Sequence, residues 1–141
     1  MIGTISPSST LLVKDTNTKK GRGVFSKKKY KKGDIVEECP ILLINEPWEK
    51  LPEILRSFVY DWGYLCNQVS SQQFCIALGM GSLFNHDNHS LLNYFADNEK
   101  QAIVFRAKED INENTELTIN YNDDIPEGNL NWFQSLNIEQ I

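Results

Sequence analysis

The residues best suited to chemistry arrive at the end of one apolar stretch, Gly79-Met80-Gly81-Ser82-Leu83-Phe84-Asn85-His86-Asp87. Two glycines before an apolar step predict backbone packed too closely for side chains. The amide of Asn85 and the imidazole of His86 then offer donors and acceptors where the apolar run stops. Such a pair either holds a ligand or ties two loops together. His86-Asp87-Asn88-His89 contains both histidines of the chain, which raises metal binding. Aligning His86 with His89 would require a helix, yet the segment is made of turn formers, and no third ligand stands at a metal-like spacing. The non-metal reading is the stronger one. A Cys–His nucleophile pair has no better support, because none of Cys39, Cys66 and Cys75 sits in a recognisable elbow. Glu37-Glu38 and Asp123-Asp124 are adjacent, so on a strand their carboxylates point to opposite faces, which is wrong for shared acid–base work. Tyr121, at the end of an apolar strand, means little by itself.

The elements that must position these groups are mostly strands. Thr10-Leu11-Leu12-Val13 predicts a first strand, and a polar turn leads to Lys20-Gly21-Arg22-Gly23-Val24-Phe25-Ser26, a Gly-X-Gly running into a second. It is neither a dinucleotide fingerprint nor a P-loop, since no third glycine and no helix follow. A basic connection ends in a Lys-Gly-Asp turn at Asp34. Ile35–Glu38 and Ile41–Ile44 are strand candidates interrupted by Pro40. Leu51, Ile54, Leu55, Phe58 and Val59 follow helical spacing, which predicts a helix from near Pro52 to Tyr60. A second short helix is expected from Ser70 or Ser71 to about Leu78. Asn93–Asp97 and Ala102–Ala107 form a hairpin around Asn98-Glu99-Lys100, and Glu116–Tyr121 is the last strand. The tail carries Trp132 and Phe133 on a further helical segment. The class is therefore mainly β with small α insertions, in one domain.

The totals set outer limits. With 141 residues, 40% of them hydrophobic and 23% charged, the chain has the composition of a globular domain large enough to bury a core. No apolar run approaches the roughly 20 residues of a membrane helix, and no secretory signal is visible at the start, so a soluble, intracellular protein is expected. Three scattered cysteines fit a reducing interior, where they act as small apolar residues. A net charge of −5 argues against general nucleic-acid binding. Eight of the 14 basic residues fall between Lys19 and Lys32, which leaves the remainder strongly acidic, as suits a cationic substrate.

Taken in order, three segments resemble the SET-domain protein-lysine methyltransferases. Lys20–Phe25 followed by Tyr30–Glu38 is similar to the family's opening, Gly81–His86 to its Asn-His core, and Val104–Ala107 through Glu116–Tyr121 to its closing strand. The similarity spans about Leu11 to Tyr121, so the SET domain is assigned to residues 1–121 and the tail, 122–141, to completing the site. The compact size resembles the minimal viral and bacterial members, without zinc-binding flanking modules.

The resemblance implies several small sheets around a knot-like crossing. It also implies S-adenosylmethionine as cofactor, methyl transfer to a lysine amine of a histone or other protein, and no direct partnership with nucleic acid or membrane. Asn85 and His86 would contact the cofactor, Lys20, Gly21, Arg22 and Gly23 would wrap its methionine end, and Trp132, with Phe133 as the alternative, would stack on adenine. Tyr121 would be catalytic, orienting the amine, with Tyr64 and Ile119 bordering the lysine channel. No metal is implied. The missing flanking modules point to a homodimer as a way to complete the site. The alternative is a SET-fold module that binds a lysine-containing partner without catalysis. It is motivated by departures from the family pattern: Asp87 stands where the family has Ser, and Ser90-Leu91 where it has Pro-Asn, unless a two-residue insertion makes Asn93 the matching asparagine. The first change adds a charge that must be solvated or hydrogen-bonded.

Overall fold

A computed structural model describes residues 3–4, 8–66 and 73–121. In chain order the strands are β1 Leu11–Asp15, β2 Arg22–Ser26, β3 Ile35–Ile44, β4 Val59–Asp61, β5 Phe74–Ala77, β6 Asn85–His86, β7 Leu92–Asp97, β8 Ala102–Ala107 and β9 Glu116–Ile119. Two one-turn helices, α1 Glu53–Arg56 and α2 Trp62–Leu65, flank β4. Short 3-10 turns occupy Trp48–Lys50 and Gly79–Ser82.

The strands form two sheets, β1-β2-β9-β6 and β4-β5-β3-β8-β7. In β1, Leu11 and Val13 face the core while the residues between them lie outward, the period-2 pattern of a half-buried strand. The turn into β2 is closed by Thr16 N–H on the Gly21 carbonyl at 2.8 Å. Gly21 sits there at φ +75°, a conformation that glycine adopts without strain. β7 and β8 are the expected hairpin, in register from Leu92↔Ala107 to Asp97↔Ala102.

β3 runs unbroken through Pro40 because its partner changes there. Residues up to Pro40 pair with β8, and Ile41–Ile44 pair with β5. The proline thus sits at the hand-over between neighbours rather than inside one ladder. Phe105, Ile103, Leu92, Leu117, Ile119, Val24, Cys39 and Cys75 fill the centre, all fully buried. Burial pushes the thiols of Cys39 and Cys75 up to about 12, so both stay protonated and inert at neutral pH. They act as small apolar residues, as their scatter along the sequence suggested.

One expected helix is cut to a single turn, and the described part of the other, whose start lies outside the described residues, holds a strand. The apolar spacing around Leu51–Val59 supports one helical turn, after which the chain extends into β4. Leu51 and Val59 are buried in a small satellite cluster with Phe74, whereas Ile54 is 73% exposed. The anticipated single helical face therefore does not form. Phe74–Ala77, expected at the end of the second helix, is instead a strand between β3 and β4. Three of its four residues are buried, so no alternation marked it. Among the described residues no helix is long and apolar enough to cross a membrane.

Candidate active site

The close backbone approach anticipated at Gly81 is present. A Cβ there would lie 2.9 Å from Ala77 Cβ, Cys39 Sγ and Phe105 Cε2. The 3-10 turn packs directly on the core, and its exit delivers β6 beside β9.

β6 pairs in parallel with β9, Asn85 opposite Thr118 and His86 opposite Ile119. The chain then folds over the end of β9: Asp87 N–H donates to the Ile119 carbonyl at 2.9 Å, and Leu91 N–H to Thr118 Oγ1 at 3.3 Å. This crossing holds three segments that are distant in sequence. Asn85 Nδ2 donates to the Arg22 carbonyl at 3.1 Å and to Glu116 Oε2 at 2.8 Å. Lys20 Nζ donates to the His86 carbonyl at 2.5 Å. The Tyr121 backbone N–H donates to His86 Nδ1 at 3.1 Å. Lys20, Gly21, Arg22, Gly23, Asn85, His86 and Tyr121, expected to act together, are therefore neighbours.

Gly23 is required at this junction. Its Cβ would stand 2.5 Å from Glu116 Oε2 and 2.9 Å from Asn85 Nδ2, the two atoms of one hydrogen bond. Gly23→Ala is expected to push that bond apart. With one charge-assisted hydrogen bond weakened, stability should fall by about 1–3 kcal/mol while the fold survives, which a thermal melt of the variant beside wild type checks.

Beside the crossing lies an open slot lined by Ser57, Phe58, Val59, Tyr60, Gly81, Ser82, Phe84, Tyr94 and Tyr121. The Tyr121 hydroxyl donates to the Phe84 carbonyl at 3.2 Å, and the Tyr60 hydroxyl to the Gly81 carbonyl at 2.7 Å. Burial pushes the Tyr121 phenol up to about 12 and that of Tyr60 well above its ordinary value. Both hydroxyls therefore keep their protons at neutral pH, and neither is a phenolate base. They can orient a small polar group inside an aromatic wall.

Tyr64 and Ile119 do not line this slot. Tyr64 is half-buried on α2, its N–H capped by Asp61 Oδ1 at 3.0 Å. Ile119 is fully buried on β9, paired with His86 across the ladder. Trp132 and the tail lie outside the described residues. Tyr60 and Tyr94 had no marker in the sequence; only the pairing of β4 with β5 and of β7 with β8 brings them to the slot.

The departures from the family pattern are accommodated locally. The Asp87 carboxylate accepts the His89 N–H at 2.8 Å and closes a turn. Ser90, at the end of the crossing, is buried and accepts from Lys108 Nζ at 2.8 Å. His86 is itself occupied on both ring nitrogens, with Nε2 3.1 Å from Asn88 Oδ1. Among the described residues no group of three or more His, Cys, Asp and Glu side chains gathers as a metal site.

A mainly β domain of small sheets, with an Asn-His strand crossing a tyrosine-bearing closing strand, defines the SET class. The SET-domain model matches residues 21–122. The chain is 32% identical over 129 residues to a Schizosaccharomyces pombe histone-lysine N-methyltransferase described as H3 lysine-37 specific, covering 89% of this chain and 78% of that protein. Among solved structures it resembles a Plasmodium falciparum protein described as a provisional histone methyltransferase. That match has a TM-score of 0.63 and 24% identity, over 81% of this chain and 94% of the other. It also resembles a humanized mutant of the Chaetomium thermophilum Polycomb Repressive Complex 2 bound to the inhibitor GSK126. There the TM-score is 0.63 and the identity 21%, over 85% of this chain and 16% of that one. At those identities the two structures speak for the fold alone. The chain belongs to the SET-domain family, and its enzymatic class is protein-lysine N-methyltransferase.

Proposed function

We propose that the protein methylates a lysine side chain of a histone, with S-adenosylmethionine as methyl donor. The observation that carries this is the meeting of Lys20–Gly23, Asn85-His86 and Tyr121 within hydrogen-bond distance, beside an aromatic slot. The histone substrate is suggested by the relative at 32% identity.

The residues present suit this cofactor. An amino-acid end carries both an ammonium and a carboxylate, and the Lys20 ammonium and the Glu116 carboxylate stand at this junction with opposite charges. Gly21 presents open backbone, with nothing within 4 Å of where a Cβ would be. Lys20, Gly21, Arg22, Gly23, Asn85 and His86 would hold the group, with Trp132 from the tail on its adenine. When bound, S-adenosylmethionine supplies a methyl group as an electrophile and leaves as a neutral thioether.

The chain's own residues prepare the amine. A free lysine has a pKa near 10.4 and is mostly protonated at neutral pH, without a lone pair to attack. Phe84, Tyr60, Tyr94 and Tyr121 offer an aromatic wall that disfavours the ammonium form. The incoming proton must leave to water before the nitrogen reacts, because the tyrosines stay protonated. The Tyr121 hydroxyl, held by the Phe84 carbonyl, then fixes the line of approach, and alignment contributes much of the rate.

Radiolabelled S-adenosylmethionine with nucleosomes, free histone H3 and lysine-free H3 tests the reading. Label is expected in H3 and absent from the lysine-free protein. No transfer to any histone, with cofactor binding intact, would remove the histone assignment; no cofactor binding would remove the whole reading.

A further inference from the structure

Asn88 follows the Asn-His pair by two residues; its side chain reaches the His86 ring, and its backbone reaches the segment that carries Tyr121. Its Oδ1 lies 3.1 Å from His86 Nε2, and its carbonyl accepts from Asn120 Nδ2 at 3.5 Å. The imidazole beside it is only 3% exposed. Because Nδ1 accepts the Tyr121 N–H, it carries no proton, so a neutral ring carries its proton on Nε2. Only an acceptor fits opposite Nε2–H, which places the Asn88 amide oxygen, and not its nitrogen, against the ring.

We infer that Asn88 is a positioning residue for methyl transfer: it fixes His86 as the Nε2–H tautomer, whose unprotonated Nδ1 accepts the backbone N–H of Tyr121. The inference rests on the role proposed for the Tyr121 hydroxyl. Its links are Asn88 Oδ1, the imidazole, the Tyr121 N–H, and the phenol on the Phe84 carbonyl. The ring of Tyr121 also packs on the imidazole, with centroids 5.1 Å apart. Without the acceptor, a buried N–H loses its partner and the ring turns to find another. Tyr121 then loses its backbone anchor. Misplacement of a reacting group by about 1 Å costs as much as ~100-fold in rate.

Charged groups near the imidazole among the described residues include Lys20, whose ammonium sits on the His86 carbonyl, Asp87, turned onto the His89 N–H, and Glu116, reached through Asn85. A carboxylate at position 88 would add a negative charge next to the ring itself. It would still accept from Nε2–H but would favour the imidazolium, and the protonated Nδ1 of an imidazolium cannot accept the Tyr121 N–H. Replacement by Asp should therefore preserve the anchor at alkaline pH and lose it on acidification earlier than Asn does.

Asn88→Leu and Asn88→Asp in the full chain test this, with exchange of the Tyr121 amide followed by NMR beside kcat and the cofactor KM. In folded Asn88→Leu, Tyr121 is expected to exchange at least ~10-fold faster and kcat to fall about tenfold or more, with KM little changed. Asn88→Asp should restore both at alkaline pH, with an acid limb at higher pH than the wild type's. Unchanged Tyr121 exchange in Asn88→Leu overturns the inference, as does faster exchange with unchanged kcat. An Asn88→Asp variant as defective as Asn88→Leu at every pH overturns it too. Full activity in Tyr121→Phe would instead sink the proposed role of the hydroxyl, and the exchange result would stand apart from that failure.

Discussion

Tyr121→Phe is expected to keep the fold and lose most of the transfer rate. The substitution removes one oxygen and leaves the ring, which packs on His86 with centroids 5.1 Å apart. The backbone anchor to His86 Nδ1 does not involve the side chain and remains. Only the hydroxyl bond to the Phe84 carbonyl is lost, so stability should fall by about 1 kcal/mol. The effect on rate should be much larger. A preorganised hydrogen-bonding group aimed at the reacting centre is worth on the order of 10²–10³ in kcat, and the proposed role gives this hydroxyl the alignment of the amine. Single-turnover transfer beside a thermal melt separates the two effects. A kcat within threefold of wild type would refute the role, and a collapsed melt would show the residue to be structural instead. The pH profile adds a check of sign. Burial holds the phenol at about 12, so its ionisation should leave no mark in the neutral range. The wild-type rate should instead climb with pH as more of the substrate lysine loses its proton.

The parts of this site that were legible in the sequence are those whose signal is local. Gly21, Gly23, Asn85, His86 and Tyr121 each stand in a short run with a distinctive neighbour, and three such runs in order carried the resemblance. The hairpin of β7 and β8 was visible because alternation and a polar turn lie within one short window. What stayed hidden depends on pairings between distant residues. β5 has three of its four residues buried, so it shows no alternation, and its neighbours β3 and β4 come from elsewhere in the chain. Helical spacing around Ile54 looked sound, yet burial was decided by β4 joining β5, which left Ile54 exposed and turned Tyr60 toward the slot. Asn88 illustrates the same limit on a single side chain. In the sequence it is a turn former inside a weak metal set; its contact with His86 spans only two residues, but that the same imidazole holds the Tyr121 N–H from far along the chain could not be read there. Asp87 drew attention as a departure from the family pattern, but its carboxylate closes a local turn that a serine hydroxyl could also close.

Gly81→Ala should be the most destabilising single-methyl change among the described glycines. Its added Cβ would meet three atoms at 2.9 Å, Ala77 Cβ, Cys39 Sγ and Phe105 Cε2. None of these belongs to a flexible surface side chain; all three residues are almost completely buried. Contrast Gly23, where the atoms approached most closely are the ends of Glu116 and Asn85, which can move at the cost of one hydrogen bond. Gly21 differs again, with open space around it but φ at +75°, so alanine there would cost about 1 kcal/mol in backbone strain alone. At Gly81 the core must shift or the 3-10 turn must lift, and overpacking of this kind costs typically 1–3 kcal/mol. For a domain of this size that corresponds to a fall in Tm of roughly 3–12 °C. Lifting the turn also moves the carbonyl that accepts the Tyr60 hydroxyl, together with Phe84, whose carbonyl holds Tyr121. Activity at a temperature where the variant is still folded should therefore fall, while the Gly21→Ala protein keeps its slot. Calorimetric melts of the two variants, with transfer rates measured well below either transition, decide the matter. Equal melting of Gly81→Ala and wild type would mean that the turn is free to move away from Phe105. The slot would then not be held in shape by this packing.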